Sequence, residues 1–395
     1  MYLSNNYPVP SERMGLLWAL SGVRELVIVE FGPEGTTRYL LESLKEFGNA
    51  AQASFYTTTM DEDVVVFGNY DRLNQVLMEI DQRLHPEVIV VLDSSVAAVI
   101  GVDLDGICHE IKPHIDAKLI TIKGGGLKND WTVGIETALR LLGQIAIKNR
   151  PKKNRFNLIG CCADEYNHLA EAAEIEDMMA KCFAMELNCN LSGNTSVASC
   201  RNIGQAVVNL VLRQEGLALA QDLQQRFEIP YVDGRPYGLA GTRAWLQKIE
   251  RVIDQKADYA AVHQAVTALK IAKEQVIQKN SGKTIVLCGH EDSVRGLAEF
   301  FKDELNFEVY FLKSSWCSRS TALSVISQSA YEKLRSHQDV LVLADGLQIR
   351  DLPSADRIQV AHPKIAGFTE DQPGLMGFRG AAYLLNKLTN KLIKS

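Results

Sequence analysis

The sequence predicts an α/β protein of three Rossmann-like domains with mainly parallel sheets. Three observations carry this: short strand-like runs that are wholly apolar, helical apolar spacings between them, and recurrence of that alternation along 395 residues. A strand apolar on both faces belongs in a sheet covered on both sides, the usual situation of parallel sheets. Repeated strand–helix alternation implies right-handed crossovers that supply those covering helices. A chain of this length also exceeds one ordinary domain.

In the first domain, residues 1–150, RELVIVEF (24–31) reads as a buried strand, followed by a helix over residues 36–47. Leu73, Val76, Leu77, Ile80 and Leu84 mark one helical face, Pro86 stops that helix, and VIVVL (88–92) is the next inner strand. A helix from Ser95, a strand at 119–122 and a helix from Thr132 complete the unit. The second domain, residues 151–280, follows a basic linker (148–155). It opens with a strand at 156–160, and AVVNLVL (206–212) is an inner strand. Leu217, Leu223 and Phe227 belong to the helix after it, and a long helical stretch runs from 242 to 278. The third domain, residues 281–395, starts with TIVLC (284–288), has strands near 309–312 and 340–343, and closes with a helix over 378–392. Ligands of such domains gather beyond the carboxyl ends of the strands and in clefts between domains.

Composition excludes several function classes. Hydrophobic residues at 46% and charged residues at 23% are the balance of a well-cored globular protein. A net charge of -6 argues against a broad nucleic-acid surface. The basic run Lys148, Arg150, Lys152, Lys153 and Arg155 reads as a solvated linker. No apolar run reaches the roughly 18 residues of a membrane span. Residues 16–31 are interrupted by Arg24 and Glu25 and lack the flanks of a signal peptide, so the expected location is cytoplasmic. Eight cysteines without CxxC or regular short spacing read as reduced thiols. Three motif-like signals fail. Ser281-Gly282-Lys283-Thr284 has Ile277 where a phosphate loop needs glycine, and a strand follows it instead of a helix. Gly124-Gly125-Gly126 is a strand–helix turn and not a dinucleotide fingerprint. Cys108-His109 with His114 reads as part of an amphipathic helix, not a ligand set.

Five segments, in order and nearly spanning the chain, resemble one family. They are MGLLWALSGVRELVIVEFGPEGTTRYL (14–40), DSSVAAVIGVDL (93–104), NLVLRQEGLALAQDLQQRFEIPYVDGRPYGLAGT (209–242), GKTIVLCGHEDSVRGLAEFFKDELNFEV (282–309) and GFRGAAYLLNKLTNKL (377–392). The middle segment carries Ile-Pro-Tyr, Pro-x-Gly and the following Thr, and the last resembles a Gly-Tyr-x-Gly helix. Together they resemble the nitrogenase component 1-type oxidoreductases. That family comprises the nitrogenase subunits, their cofactor-assembly scaffold, and the dark-operative protochlorophyllide and chlorophyllide reductases.

The resemblance implies where the family's bridging iron–sulfur clusters would be held. Its three cysteine positions in the first domain fall on Ser11, Thr36 and Ser95, and none is a thiol. In the protochlorophyllide reductase branch one subunit contributes only an aspartate, at the second place; here that place is Thr36. Hydroxyls are poor iron ligands beside thiolate. The expectation is that no cluster is held by this chain alone, and that any iron–sulfur cluster is shared with or supplied by a partner subunit. The cysteine that anchors the nitrogenase cofactor falls near Leu212–Arg213 and is missing, and the cofactor histidine falls at or beside His362.

Candidate cofactor-binding residues follow from position. Cys161 and Cys162 lie just beyond the first strand of the second domain, and Cys288 and His290 occupy the corresponding place in the third. Adjacent residues on an extended chain point apart, which would bury one of the first pair and bring the other to the cleft; the competing reading makes both of them small apolar fillers of the core. Asp164 and Glu165 read as helix caps. With Cys317 and His362, these thiols and His290 are expected to line one interdomain cleft for a tetrapyrrole-like or metal cofactor. The resemblance implies an oxidoreductase subunit that works with a homologous subunit, or with itself as a homodimer, and with an ATP-dependent iron-protein reductase. The alternative is a non-catalytic cofactor-assembly scaffold or carrier.

Overall fold

The computed structural model describes residues 9–35, 38, 42, 51–60, 62, 65, 70–148, 151–280, 282–314, 316, 323–336, 340–353, 356–362 and 373–394. Thr36, Cys317 and most of the helix expected over 36–47 lie outside them. Three four-stranded sheets, paired in parallel throughout, form one after another along the chain. The first contains β2 (Val27–Phe31), β3 (Ser54–Thr57), β4 (Val88–Asp93) and β5 (Lys118–Ile122), in the order β3-β2-β4-β5. The second contains β6 (Arg155–Ile159), β7 (Glu186–Leu191), β9 (Val208–Val211) and β10 (Tyr231–Asp233), in the order β10-β9-β6-β7. The third contains β11 (Thr284–Leu287), β12 (Glu308–Phe311), β13 (Val340–Asp345) and β14 (Arg357–Ala361), in the order β12-β11-β13-β14.

Counted within its own unit, the first and third sheets have the second strand outermost, then the first, third and fourth. The second sheet runs through its fourth, third, first and second strands, the same order read from the other edge. The chain therefore reverses direction of travel between the first and third strands, and a crevice opens there at the carboxyl end. The inner strands β2, β4 and β13 are buried along their whole length, because helices cover both faces. A short parallel pair, β1 (Val23–Arg24) with β8 (Thr195–Ser196), joins the first two units. The expected strand at 24–31 is thus broken in two, at Glu25, whose φ is 66°. The long helix expected over 242–278 is also broken. Asp254, at φ 52°, ends the helix Gly238–Ile253, and a new one starts at His263. The expected linker is partly bound: Lys152 Nζ donates to the Ala206 carbonyl at 3.0 Å, and Arg155 pairs with Glu186 at 2.7 Å.

Two helices of the first unit set the position of the later site. Helix α1 (Glu12–Ser21) lies against helix α2 (Trp131–Gln144) at backbone contact. A methyl group on Gly15 would fall 1.9 Å from the Trp131 carbonyl oxygen, and one on Gly134 would fall 1.8 Å from that of Glu12. The absence of side chains at these two crossings lets Trp18 and Trp131 meet, with ring centroids 6.5 Å apart. Gly15→Ala must push the helices apart in a packed core. We expect a loss of about 1–3 kcal/mol, read from urea unfolding with tryptophan fluorescence as the probe.

Helix α3 (His168–Phe183) of the second unit receives the last helix, α4 (Gly377–Lys394), through buried carboxylates. Glu171 accepts the Leu375 and Met376 amides at 2.7 and 2.8 Å, and Glu174 accepts the Arg379 amide at 3.1 Å. Burial pushes the Glu171 pKa up to about 7, although the two amides oppose the shift. The folded state then holds this proton more tightly than the unfolded chain. The stabilisation is full below pH 4.5 and is lost as pH rises to about 7. It amounts to about 3 kcal/mol at most. Glu171→Gln should flatten the stability–pH curve over that window and lower its acid plateau by about 1 kcal/mol for the lost acceptor, measured by denaturation at stepped pH.

Candidate functional site

The carboxyl ends of all three sheets converge on one open cleft. Asp130 and Trp131 enter it after β5; Asp164 to Asn167 after β6; Gln214 and Glu215 after β9; Arg235 and Tyr237 after β10. The third unit adds Gly289 to Ser293 after β11, Trp316 after β12, and His362 after β14. The site is therefore a product of topology: loops at strand ends, brought together by three sheets facing inward.

Beneath the cleft lies the wholly buried Arg213. Its Nη1 donates to both oxygens of Asp164 at 3.0 Å, and its Nε donates to Glu215 at 2.8 Å. Its guanidinium carbon sits 5.5 Å from the centre of the Trp131 ring. Gly160, at φ 106°, turns the chain after β6; a side chain there would strike the Arg213 stem at 2.6 Å. A second buried guanidinium, Arg235, pairs with Glu165 and donates to the Leu212 carbonyl at 2.6 Å and to Ser293 at 2.8 Å. Burial opposes both positive charges, but the neighbouring carboxylates raise both arginine pKa values further. Burial likewise opposes the Glu215 carboxylate, yet Arg213 and His290 hold its pKa below the usual range.

His290 begins the helix Glu291–Glu299, with its side chain 19% exposed. Its Nε2 lies 3.6 Å from Glu215 Oε1 and its Nδ1 lies 3.7 Å from Asp292 Oδ2. Burial lowers its pKa, but the Glu215 carboxylate overrides this and the net shift is upward. Aromatic rings pack beside and behind this group. Trp18 stacks on Trp316 at 5.5 Å and 17°, and Trp316 stacks on His362 at 6.2 Å and 28°. Trp131 Nε1 donates to the Trp316 carbonyl at 3.0 Å, tying the first unit to the third. Tyr166 meets His362 edge-on at 5.7 Å.

Of the residues singled out from sequence, His290 and His362 line this cleft. Cys161, Cys162 and Cys288 do not, which corrects the expectation that thiols face it. Cys161 and Cys162 do point apart, but into two different hydrophobic cores, and neither reaches the cleft. Cys288 lies in a third core, its Sγ 3.9 Å from Asp345. Burial raises the Cys161 and Cys162 thiol pKa values well above normal, so thiolate is disfavoured. Asp164 and Glu165 are ion-pair partners of the two arginines and not helix caps. Glu215, Arg235, Asp292 and the tryptophans belong to the site without having stood out as site residues in the sequence. Their signal was position, since each of the first three follows a strand end.

Ser11 and Ser95, the described residues at the cluster positions expected from the resemblance, have structural tasks. Ser11 caps α1 by accepting the Met14 amide at 3.4 Å, and Ser95 donates to the Gly125 carbonyl at 3.0 Å. The glycine run there is the turn after β5, clasped by Asp93, which accepts the Gly124 and Gly125 amides at 3.0 and 2.8 Å. Cys108 is buried in its helix, with a thiol pKa raised by burial to about 11, while His109 and His114 are exposed.

Such a fold, three inward-facing parallel units around a common cleft, defines the class, and comparison with known proteins identifies the family. Residues 11–361 match the nitrogenase component 1 type oxidoreductases, and the chain belongs to that family. It is similar to the nitrogenase iron-molybdenum cofactor biosynthesis protein NifE of Clostridium pasteurianum, 24% identical over 67% of this chain and 56% of that one. One of the subunits of the light-independent protochlorophyllide reductase of Leptolyngbya boryana is 24% identical over 75% of this chain and 60% of its own length. The vanadium-iron nitrogenase beta chain of Trichormus variabilis is 22% identical over 72% and 66%. The chain thus spans little more than half the length of the first of these relatives. A solved structure of nitrogenase Cp1 superposes with a TM-score of 0.78 at 16% identity, covering 100% of this chain and 94% of that one, a likeness of fold. Among the described residues no helix is long and apolar enough to cross a membrane.

The family resemblance implies bridging iron–sulfur clusters, at positions where the described residues are Ser11 and Ser95. Ser11 and Ser95 offer hydroxyls already engaged with backbone, and the seven described cysteines are all buried.

Arg213 is the group whose removal should be most costly at the site. Arg213→Ala leaves Asp164 and Glu215 buried without their counter-charge, at a cost of about 3–5 kcal/mol. Chemical denaturation of the purified variant would read this, and a loss under about 1 kcal/mol would contradict the account.

Proposed function

We propose that this chain is the cleft-bearing subunit of a nitrogenase-like oxidoreductase. It pairs with a homologous subunit that carries the iron–sulfur cluster, receives electrons through an ATP-dependent iron-protein reductase, and works in the cytoplasm. The observation that carries this reading is the coexistence of an intact three-unit cleft with hydroxyls at Ser11 and Ser95. A docking face for the partner is supported by exposed apolar side chains beside Ser95: Val96, Ile100, Leu127 and Val99, the last 74% exposed. Two of the relatives are themselves named as one component of an assembly.

Within that assembly the chain's own residues would bind and orient a ligand against the Trp316–His362 wall. The buried arginine pairs would keep the cleft-floor loops fixed. A second reading, a non-catalytic carrier in cofactor assembly, is favoured by the likeness to the biosynthesis protein NifE and by the same hydroxyls.

The two readings separate on iron. The chain should purify anaerobically with less than stoichiometric iron and sulfide, and co-expression with a cysteine-bearing homologous subunit should yield a heteromer containing both. Iron absent from every pairing, with ligand retained on the chain alone, would favour the carrier. An iron–sulfur centre on the isolated chain would overturn both.

A further inference from the structure

We propose that Glu215, His290 and Asp292 form a divalent metal-ion site on the cleft floor, one that takes a first-row ion through nitrogen and oxygen donors. The site stands on its own residues and does not rest on the subunit reading. One donor atom from each side chain lies within 4.8 Å of the other two. The closest approaches to the imidazole are 3.6 Å from Glu215 and 3.7 Å from Asp292. Ligands bonded to a zinc-sized ion at about 2.0–2.2 Å stand roughly 3.0–3.6 Å from one another. Glu215 makes its approach to Nε2 and Asp292 to Nδ1, so an ion on one ring nitrogen has one carboxylate within a few tenths of an ångström of that range and draws the other in from no more than 4.8 Å.

Three further features favour a cation. The two carboxylates are already aimed by anchors outside the ligand set. Arg213 Nε holds Glu215 Oε2 at 2.8 Å, and the Gln214 amide holds Asp292 Oδ2 at 2.9 Å. Such outer hydrogen bonds fix ligand orientation in metal sites. His290 Nδ1 is shielded from solvent and has no hydrogen-bond partner among the described residues. An unmet buried ring nitrogen is costly, and a metal bond satisfies it. Charge points the same way. With the imidazole of His290 neutral, as a metal ligand must be, the positive charges of Arg213 and Arg235 face the carboxylates of Asp164, Glu165, Glu215 and Asp292, and two against four leaves an excess of two negative charges.

The opposing group is Arg213, whose Nη2 is 3.5 Å from His290 Nε2. Its charge is taken up by the two-oxygen hold on Asp164 and the bond to Glu215. One imidazole and two carboxylates suit zinc, manganese, cobalt or ferrous iron, not thiolate-bound clusters. Three protein ligands also leave coordination positions open toward the cleft, the arrangement of reactive and not structural metal sites.

Chelator-stripped full-length protein, titrated with Co²⁺ and then displaced with Zn²⁺, tests this. We expect one Co²⁺ per chain with d–d absorption of nitrogen and oxygen ligation, together with quenching of Trp131, whose ring centre is 5.8 Å from that of His290. Asp292→Asn keeps an acceptor for the Gln214 amide, and His290→Ala removes the imidazole. Each should weaken binding at least roughly tenfold, the loss that even outer-shell changes produce. His109→Ala, on an exposed helical face, should leave it unchanged. Absence of the cobalt spectrum in the wild-type chain, or binding by Asp292→Asn and His290→Ala as tight as that of the wild type, overturns the site. That outcome leaves the subunit reading intact, because iron in the heteromer is measured separately.

Discussion

A buried guanidinium governs this molecule. Arg213 has no contact with water, and it persists there because Asp164 and Glu215 supply charge and hydrogen-bond acceptors from two different strand ends. The cost of taking such ions out of water is several kcal/mol each, recovered only when geometry is good and every donor is met. The ends of β6 and β9 are therefore locked to each other, and His290 of the third unit is drawn against the same group. Arg235 repeats the arrangement one strand outward, clasping Glu165 and Ser293. The charges of the cleft floor are paired with one another out of water.

That constraint separates two faces of the first unit. The end of the sheet where relatives of this fold would be expected to hold a cluster carries hydroxyls spent on local structure, a helix cap at Ser11 and a turn at Ser95. The inward face instead contributes Trp131 to a wall shared with Trp316 and His362, with Trp18 stacked on Trp316 in the core. The first unit thus acts on the cleft through packing, and the helix crossing at Gly15 and Gly134 is what brings it close enough.

Sheet position sorted the readable strands from the unreadable ones. The inner strands β2, β4, β6, β9, β11 and β13 all stood out as mainly apolar runs, because burial on both faces admits a polar side chain only where it finds a partner, as Asn157 and Asn209 do in each other at 2.8 Å. The four strands of the three large sheets that were not anticipated, β3, β7, β10 and β14, are all edge strands. SFYT and ELNCNL carry the polar and half-exposed residues that an edge tolerates, and they resemble loops when read singly. The break at Asp254 was hidden for a different reason: helical spacing continues across it, and the left-handed residue that ends the helix has no strong signature of its own. The thiols were misplaced because burial in a core and exposure at a strand end look alike in one dimension.

By itself the sequence determined the architecture and the family, since the apolar runs, their spacing and five ordered segments are local properties of the chain. It also settled that serine stands at two of the expected ligand positions. Tertiary structure alone decided the site. Arg213 and Asp164 are 49 residues apart and Arg213 and His290 are 77 apart, and no local pattern links them. Their partnership exists because long-range packing excludes water, and only in that dry interior must each charge find a counter-charge.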